Sequence, residues 1–455
     1  LALIKSISGI RGTIGGRPGE NLTAQDVVEC TASFGQWIIQ NGGNRKIVIG
    51  RDARISGAWM QALVTQTLLS LGIDVVDLGL STTPTVEMAV PVENAGAGII
   101  LTASHNPRQW NALKFLNAKG EFISAADGAA ILKMIDEGAI DYSDIDSFGN
   151  YSQKDGFIEQ HIDTILEMPL VNQKAVQAKK YKVVVDAVNS TGAISVPPLL
   201  EKLNCEVVLL NGEPNGQFAH NPEPLPKNLI GLSEAVKEHN ADLGIAVDPD
   251  VDRLAFISEN GVAFGEEYTL VAVADYILKH QPGNTVSNLS STRALRDVTI
   301  KHGGKYEASA VGEVNVVNKM KEVNAVIGGE GNGGIIVPDL HYGRDALAGI
   351  ALFLSHLADT GLKMSDLRDS YPNYFMVKDK VALTPDVDLP AILERVHQKY
   401  QNEECNTVDG LKIDFEEGWV HLRKSNTEPI IRIYAESVSE DAANNLVAKI
   451  KSDIN

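Results

Sequence analysis

The same order of elements occurs three times along this chain, and that repetition limits the fold more than any other feature. Residues 47–50 read as a buried strand, 57–71 as a helical stretch, and 74–79 and 98–102 as two further strands with helix-like sequence between them. The order returns at 182–186, 206–210 and 244–248, and again at 285–289, 306–310 and 325–328. Short apolar strands alternating with helical spacers make parallel βαβ units, so three related α/β domains are expected. In each copy the third strand runs straight into a polar motif. Open α/β sheets place ligand sites beyond the carboxyl ends of their strands. Each copy is therefore expected to give one loop to a shared cleft.

The remainder follows another pattern. From about residue 373 it alternates strand (375–383), helix (389–400), strands near 411–415, 419–423 and 429–434, and a helix over 439–451. In that last helix Ala442, Leu446, Val447 and Ile450 fall near helical spacing. This predicts a small α+β domain. Linkers are expected near 149–155, 259–265 and 366–372, which divides the 455 residues into 1–150, 151–258, 259–368 and 369–455.

A hydrophobic share of 44% and a charged share of 22% are those of an ordinary globular chain. The net charge of −19 argues against nucleic acid or an anionic membrane as the main partner. Any phosphorylated ligand then needs local basic groups. Cys30, Cys205 and Cys405 form neither a metal pattern nor a disulfide framework, which suits a reducing cytoplasm. The first twelve residues lack a signal-like apolar core, and no apolar run reaches membrane-spanning length. A cytoplasmic location is expected.

Four loops carry the chemistry. In 102–107 (TASHNP), Ser104 lies between a strand and a proline. A turn or helix start there would aim N–H groups at an anion, and a serine becomes a useful nucleophile when assisted or already phosphorylated. The plainer reading is a Ser/Asn/Pro turn. Asp248, Asp250 and Asp252 alternate directly after a strand. A coiled loop would converge three hard oxygens, too few for a calcium cage but suited to Mg²⁺, which keeps waters or substrate phosphate. Arg253 beside them can bind phosphoryl oxygens in bidentate fashion. Glu330 is the one acid in 329–334 (GEGNGG). Glycines let a substrate approach the backbone, and a carboxylate accepting from vicinal hydroxyls is a sugar handle. Arg423, Ser425, Asn426 and Thr427 offer several donors for a non-transferring phosphate, with Arg432 adding to them. Arg11 is flanked by glycines that would bring it near the cleft, and Lys114 follows the serine loop. A lysine near a metal and other cations is expected to have a lowered pKa and to serve as general acid or base. Together these residues describe phosphoryl transfer on a small polar substrate, using a serine and a metal.

The four motifs, in this order, resemble the α-D-phosphohexomutase superfamily over essentially the whole chain. The resemblance implies an α/β fold of three related domains with mixed sheets plus a C-terminal α+β domain, heart-shaped around a central cleft. It implies an isomerase that interconverts hexose 6-phosphate and hexose 1-phosphate. Ser104 would be the phosphoserine and a ligand of Mg²⁺ beside Asp248, Asp250 and Asp252, with Glu330 on the sugar hydroxyls. Arg423, Ser425, Asn426 and Thr427 would form the distal phosphate site, and Arg11, Lys114 and Arg253 would assist phosphoryl and proton transfer. Hexose 1,6-bisphosphate is implied as intermediate and activator, formed when a substrate hydroxyl attacks the phosphoserine and turned round before the serine recovers a phosphoryl group. A monomer or homodimer is expected, with neither nucleic acid nor membrane as partner.

Two departures from the family pattern bear on the substrate. Many bacterial members read Glu-x-Ser-Gly-His in the sugar loop. Here Asn332 stands for the serine and Gly334 for the histidine, which leaves His341 as the candidate substitute among the substrate-binding residues. Ala112 replaces the glycine that usually precedes the helper lysine. The Asn332 form resembles archaeal-type hexosamine and hexose mutases. Glucosamine 6-phosphate and glucosamine 1-phosphate are therefore the expected pair, as in a phosphoglucosamine mutase, with the phosphomannomutase/phosphoglucomutase reaction as the alternative. More distant is a Mg²⁺-dependent sugar-phosphate phosphohydrolase with Asp248 as nucleophile, which would leave Ser104 and the distal phosphate loop idle. A sugar-phosphate sensor would not need both a nucleophile and a complete metal site.

Overall fold

The computed structural model describes residues 3–6, 9–382, 388–424 and 430–454. The first α/β segment contains β1 (Leu3–Ser6), β2 (Gly9–Thr13), α1 (Ala24–Gln40), β3 (Lys46–Arg51), α2 (Gly57–Ser70), β4 (Asp74–Leu80), α3 (Thr83–Val92), β5 (Ala97–Leu101), β6 (Trp110–Leu116), α4 (Ala125–Glu137) and β7 (Tyr151–Gln153). Its strands form one sheet in the order β1-β2-β6-β5-β3-β4-β7. The strands β5, β3, β4 and β7 run parallel, while β1, β2 and β6 continue the sheet antiparallel beyond β5. Alternation along β3 sends Ile47 and Ile49 to one face and Val48 to the other. The first face packs against Phe34 and Ile38 of α1 and Met60 and Val64 of α2, with Phe34 stacked on Phe115 at 4.2 Å between ring centroids. The second packs against Val86, Ala89 and Val90 of α3.

The second segment contains α5 (Phe157–Glu167), α6 (Gln173–Lys179), β8 (Lys182–Asp186), α7 (Gly192–Lys202), β9 (Glu206–Leu210), α8 (Ile230–Glu238), β10 (Leu243–Val247) and β11 (Leu254–Ser258), with sheet order β11-β10-β8-β9. In the third, α9 (Glu266–His280), β12 (Asn284–Asn288), α10 (Ala294–Lys301), β13 (Tyr306–Ser309), α11 (Glu313–Val323) and β14 (Ala325–Glu330) give the parallel order β13-β12-β14. The predicted repeat is therefore present in space. In each copy the first strand lies between the second and the third, and the third leads into the polar loop.

The chain goes on through β15 (Gly334–Ile336), α12 (Ala346–Thr360), α13 (Met364–Asp369), β16 (Phe375–Ala382), α14 (Leu389–Lys399), β17 (Glu404–Asn406), β18 (Leu411–Phe415), β19 (Gly418–Lys424), β20 (Ile430–Ser437) and α15 (Glu440–Ile454). The C-terminal sheet, in the order β16-β20-β19-β18-β17, is antiparallel throughout. Ile413, Val420, Leu422, Ile431 and Ile433 pack there with Val396, Val447 and Ile450.

Two compact units result. One joins Leu1–Thr269 with Gly333–Ser365, and the other joins Leu270–Asn332 with Asp366–Asn455. Three expected linkers turn out differently. Tyr151–Gln153 pairs with β4 as an edge strand, because Tyr151 donates its hydroxyl to Asp77 and the backbone continues the ladder. Residues 259–265 make a tight turn closed by Ser258 and Val262. The stretch predicted at 366–372 begins inside α13. Among the described residues the three cysteines are free, and no helix is long and apolar enough to cross a membrane.

Candidate active site

The first unit carries the serine and the aspartates. Ser104 follows β5 with φ at +47°, an uncommon backbone state for a residue with a side chain. Its N–H donates to Thr102 Oγ1 at 2.9 Å, and its Oγ donates to Asp248 Oδ2 at 2.6 Å. The loop is held from outside by Arg54, whose side chain is fully buried. Arg54 donates to the carbonyls of Ser104 (2.5 Å), Asn106 (2.6 Å), Pro107 (2.8 Å) and Trp110 (2.9 Å), and pairs with Asp52 at 3.0 Å. Arg54→Ala would leave those carbonyls without the guanidinium and the buried Asp52 carboxylate without its counter-charge. A loss of about 3–5 kcal/mol in unfolding free energy is expected by denaturant titration, with only partial recovery in Arg54→Lys, whose ammonium cannot reproduce the planar fork. Stability within about 1 kcal/mol of the parent would show that the clamp is dispensable.

Asp248, Asp250 and Asp252 leave β10 on a coiled loop, and one oxygen from each lies within 4.8 Å of the others. All three are fully buried. Val251 between them adopts φ of +62°, a costly state for a β-branched residue. It is fixed by its N–H to Asp248 O (3.1 Å) and by Ala346 N–H to its own carbonyl (3.2 Å). Asp248 Oδ1 also accepts from the N–H groups of Asp252 and Arg253. Asp250 Oδ2 accepts from Thr83 Oγ1 at 2.6 Å and Lys114 Nζ at 2.9 Å, and Asp252 Oδ2 from Arg344 at 2.7 Å. Asp250 Oδ1 and Asp252 Oδ1 are buried with no hydrogen-bond partner among the described residues. Buried carboxylate oxygens in that state are costly unless a cation takes them, so the donor set fits a divalent metal. Burial, and then Asp252 and Asp250, push the Asp248 carboxyl well above the usual carboxylate range. Burial acts the same way on Asp250, but Lys114 and Thr83 outweigh it and hold that carboxyl low.

A cavity of ≈ 180 Å³ opens over Ser104, lined also by Arg11, His105, Ala112, Lys114, Arg253 and Arg344. Arg11 on β2 stands opposite Ala112 on β6, and Lys114 is two residues further along that strand, on the same face. The expected lowering of the Lys114 pKa is not found. Burial does work against its charge, but Asp250 and Asp252 outweigh it and raise the pKa, which favours the ammonium form. His105 Nδ1 lies 3.3 Å from Ser104 Oγ, and burial, with Arg253 and Arg344, lowers its pKa to about 2, which keeps it neutral.

The expected substitution of His341 for the missing sugar-loop histidine also fails. Its Nδ1 is 3.3 Å from Glu87 and its Nε2 is 3.2 Å from Asp345. Burial opposes its charge, yet the two carboxylates push its pKa up to about 10. Both ring nitrogens are engaged, so the ring is no base near neutral pH.

The second unit carries the other two loops. Glu330 ends β14 with Oε1 accepting from Asn288 Nδ2 (2.9 Å) and Gly312 N–H (3.2 Å), which fixes the carboxylate's orientation. Asn332 follows in the same loop, where Gly331 N–H donates to Ser291 Oγ at 3.0 Å. Arg423 on β19 is paired in register with Arg432 on β20. Like charges directly opposite on one face are destabilising, and an anion between them would relieve this. Arg423 Nε is 3.4 Å from Asp409, one partial compensation. Ser425, Asn426 and Thr427 lie outside the described residues.

Residues 3–140, 159–261 and 265–374 match the α/β/α domains I, II and III of phosphoglucomutase/phosphomannomutase, and 378–452 its C-terminal domain. The chain belongs to this phosphohexomutase family. The enzyme is thus an isomerase, an intramolecular phosphotransferase. This phosphohexomutase is 36% identical over 439 residues to a phosphoglucomutase/phosphomannomutase of Thermococcus kodakarensis, covering 95% of each chain. It is 34% identical to a protein named probable phosphoglucosamine mutase of Methanopyrus kandleri, covering 96% of this chain and 95% of the relative. A solved phosphoglucomutase/phosphomannomutase family protein of Burkholderia thailandensis superposes with a TM-score of 0.86 at 27% identity, covering 99% and 96% of the two chains.

Sequence reasoning about the phosphohexomutase missed Arg54, Thr83, His105 and Arg344. His105 adjoins the serine, and Arg344 lies three residues beyond His341, so both were within reach. Thr83 meets Asp250 from 167 residues away and carries no local signal.

Proposed function

We propose that this phosphohexomutase interconverts glucosamine 6-phosphate and glucosamine 1-phosphate, with Ser104 carrying the transferred phosphoryl group. The observation that carries the reading is Ser104 Oγ on Asp248 at 2.6 Å, in a cavity lined by Arg11, Lys114, Arg253 and Arg344. Mg²⁺ held by Asp248, Asp250, Asp252 and the phosphorylated Ser104 would supply Lewis-acid charge neutralisation at the phosphoryl oxygens. Arg11, Arg253 and Arg344 offset the remaining negative charge and orient the group for in-line transfer. As the sugar hydroxyl attacks phosphorus and the bond from phosphorus to Ser104 Oγ breaks, the charged Lys114 would give a proton to the leaving serine oxygen and take one from the attacking hydroxyl. Glu330 and Asn332 hold sugar hydroxyls or the 2-amino group. Arg423 and Arg432, with Ser425, Asn426 and Thr427, hold the phosphate that is not being transferred. A hexose 1,6-bisphosphate then turns end over end, so that either phosphate can face Ser104.

The glucosamine preference rests on Asn332, whose amide offers both donor and acceptor, and on the name of the Methanopyrus kandleri relative. The 36% identity to the Thermococcus kodakarensis phosphoglucomutase/phosphomannomutase favours a second reading, glucose and mannose phosphates. The division at 1–150, 151–258, 259–368 and 369–455, a cytoplasmic location and a monomeric or homodimeric state belong to the same proposal. A competition assay with the 1- and 6-phosphates of glucosamine, glucose and mannose tests the substrate. We expect kcat/KM for glucosamine phosphates to lead by at least about 10-fold, equivalent to ~1.4 kcal/mol. Equal or higher efficiency with glucose or mannose phosphate would establish the second reading and leave the phosphoserine chemistry intact.

A further inference from the structure

Away from the serine cavity, two imidazoles and a carboxylate converge inside the first unit. His161 Nε2 lies 2.8 Å and His341 Nε2 3.2 Å from the same atom, Asp345 Oδ2. The side chains of His161 and Asp345 are 1% exposed and that of His341 12%. The rings are crossed at 82° with centroids 6.2 Å apart.

The outward nitrogens are also held. His161 Nδ1 is 2.9 Å from Thr85 Oγ1, which is itself 2.7 Å from Thr82 Oγ1. His341 Nδ1 is 3.3 Å from Glu87 Oε2. Asp345 is fixed by its other oxygen, which accepts from the N–H groups of Leu347 and Ala348 at the start of α12. Metal-binding histidines characteristically have the second nitrogen oriented by an oxygen acceptor in this way. Two histidines and one carboxylate with a further position left open is a recurrent ligand set for Zn²⁺.

The spacing agrees. Zn–N bonds of about 2.0–2.1 Å in a tetrahedral site put neighbouring ligand atoms ~3.3 Å apart. The His341–Asp345 separation of 3.2 Å already meets this, and His161 at 2.8 Å needs to retreat by about 0.5 Å. The aspartate cage offers only hard oxygens, whereas this cluster offers imidazole, so the two would select different ions.

We propose that His161, His341 and Asp345 form a second cation site, specific for Zn²⁺ or a similar imidazole-preferring divalent ion, with a structural role. An ion there would join α5 to the loop before α12, with α3 tied behind the two rings through Thr85 and Glu87. Those pieces also position the cage: α3 begins with Thr83 on Asp250, and Arg344, next to Asp345, donates to Asp252. Binding displaces the Nε2 protons, so occupancy falls in acid.

The test is a Co²⁺ titration of the metal-depleted full-length chain in excess Mg²⁺, followed by visible absorption and native mass spectrometry. The expected result is one tightly held equivalent with the visible bands of a nitrogen-ligated, four- or five-coordinate ion. It should be retained in Asp250→Asn and lost in His341→Gln, the more exposed and milder change, as well as in His161→Gln. Circular dichroism shows which variants are folded, and a folded His341→Gln suffices for the decision. The site is refuted if the parent chain takes up no Co²⁺ under these conditions. It is equally refuted if the bound equivalent survives in folded His341→Gln or disappears with Asp250→Asn. The cluster would then be a proton-bridged network only.

Discussion

Ser104→Ala is expected to lower kcat by at least about 10³-fold, ~4 kcal/mol of transition-state stabilisation. The reason is local. Ser104 Oγ is the hydroxyl that meets Asp248. Of the other hydroxyls in the cavity wall, Thr102 Oγ1 is committed to Asp52 at 2.7 Å and to the Ser104 N–H, and Ser6 Oγ donates to the Gly9 carbonyl at 2.9 Å. Among the described residues no neighbour is placed to take over as phosphoryl carrier. Intact-mass measurement adds an independent reading: incubation with hexose 1,6-bisphosphate should add one phosphoryl group to the parent protein and none to the variant. Near-parental activity together with an unchanged mass gain in Ser104→Ala would remove the serine from the mechanism.

Asp250→Asn is expected to lower kcat by at least about 10²-fold, ~2.7 kcal/mol, at saturating substrate. It removes a charge from the cage at the residue whose Oδ1 has no hydrogen-bond partner among the described residues and whose Oδ2 holds Lys114. An amide is close in size to a carboxylate but a weaker ligand for a hard cation, and its NH₂ cannot accept from an ammonium or a hydroxyl. The measurement is kcat as a function of Mg²⁺ concentration. A parental rate at parental Mg²⁺ would mean that the cation binds elsewhere.

The sequence disclosed the triple repeat because buried parallel strands are short, nearly uninterrupted apolar runs, and the polar loops cut them off sharply. Residues 244–248 and 325–328 are such cases. Strands outside that pattern were harder to read. The run that forms β6 has polar Asn111 and Lys114 among apolar residues, while Tyr151–Gln153 is exposed along its whole length. The reactive residues were legible where they cluster in sequence, as with Asp248, Asp250 and Asp252. The charge state of Lys114 was not, because the carboxylate that sets it lies 136 residues away. The role of Arg54 was hidden for a similar reason. Its partners are backbone carbonyls some 50 residues on, and a carbonyl leaves no trace in a side-chain pattern. His341 misled because a histidine near a gap in a motif says nothing about which carboxylates surround it.

The pairing of β2 with β6 puts Ala112 opposite Arg11 and two residues from Lys114, on one face of the sheet and in the wall of the cavity over Ser104. A methyl is the whole of its side chain, so it takes little of the space that the cations line. A valine or leucine there would fill part of the ≈ 180 Å³. The room left for an anion is thus set in part at a position with no reactive group of its own.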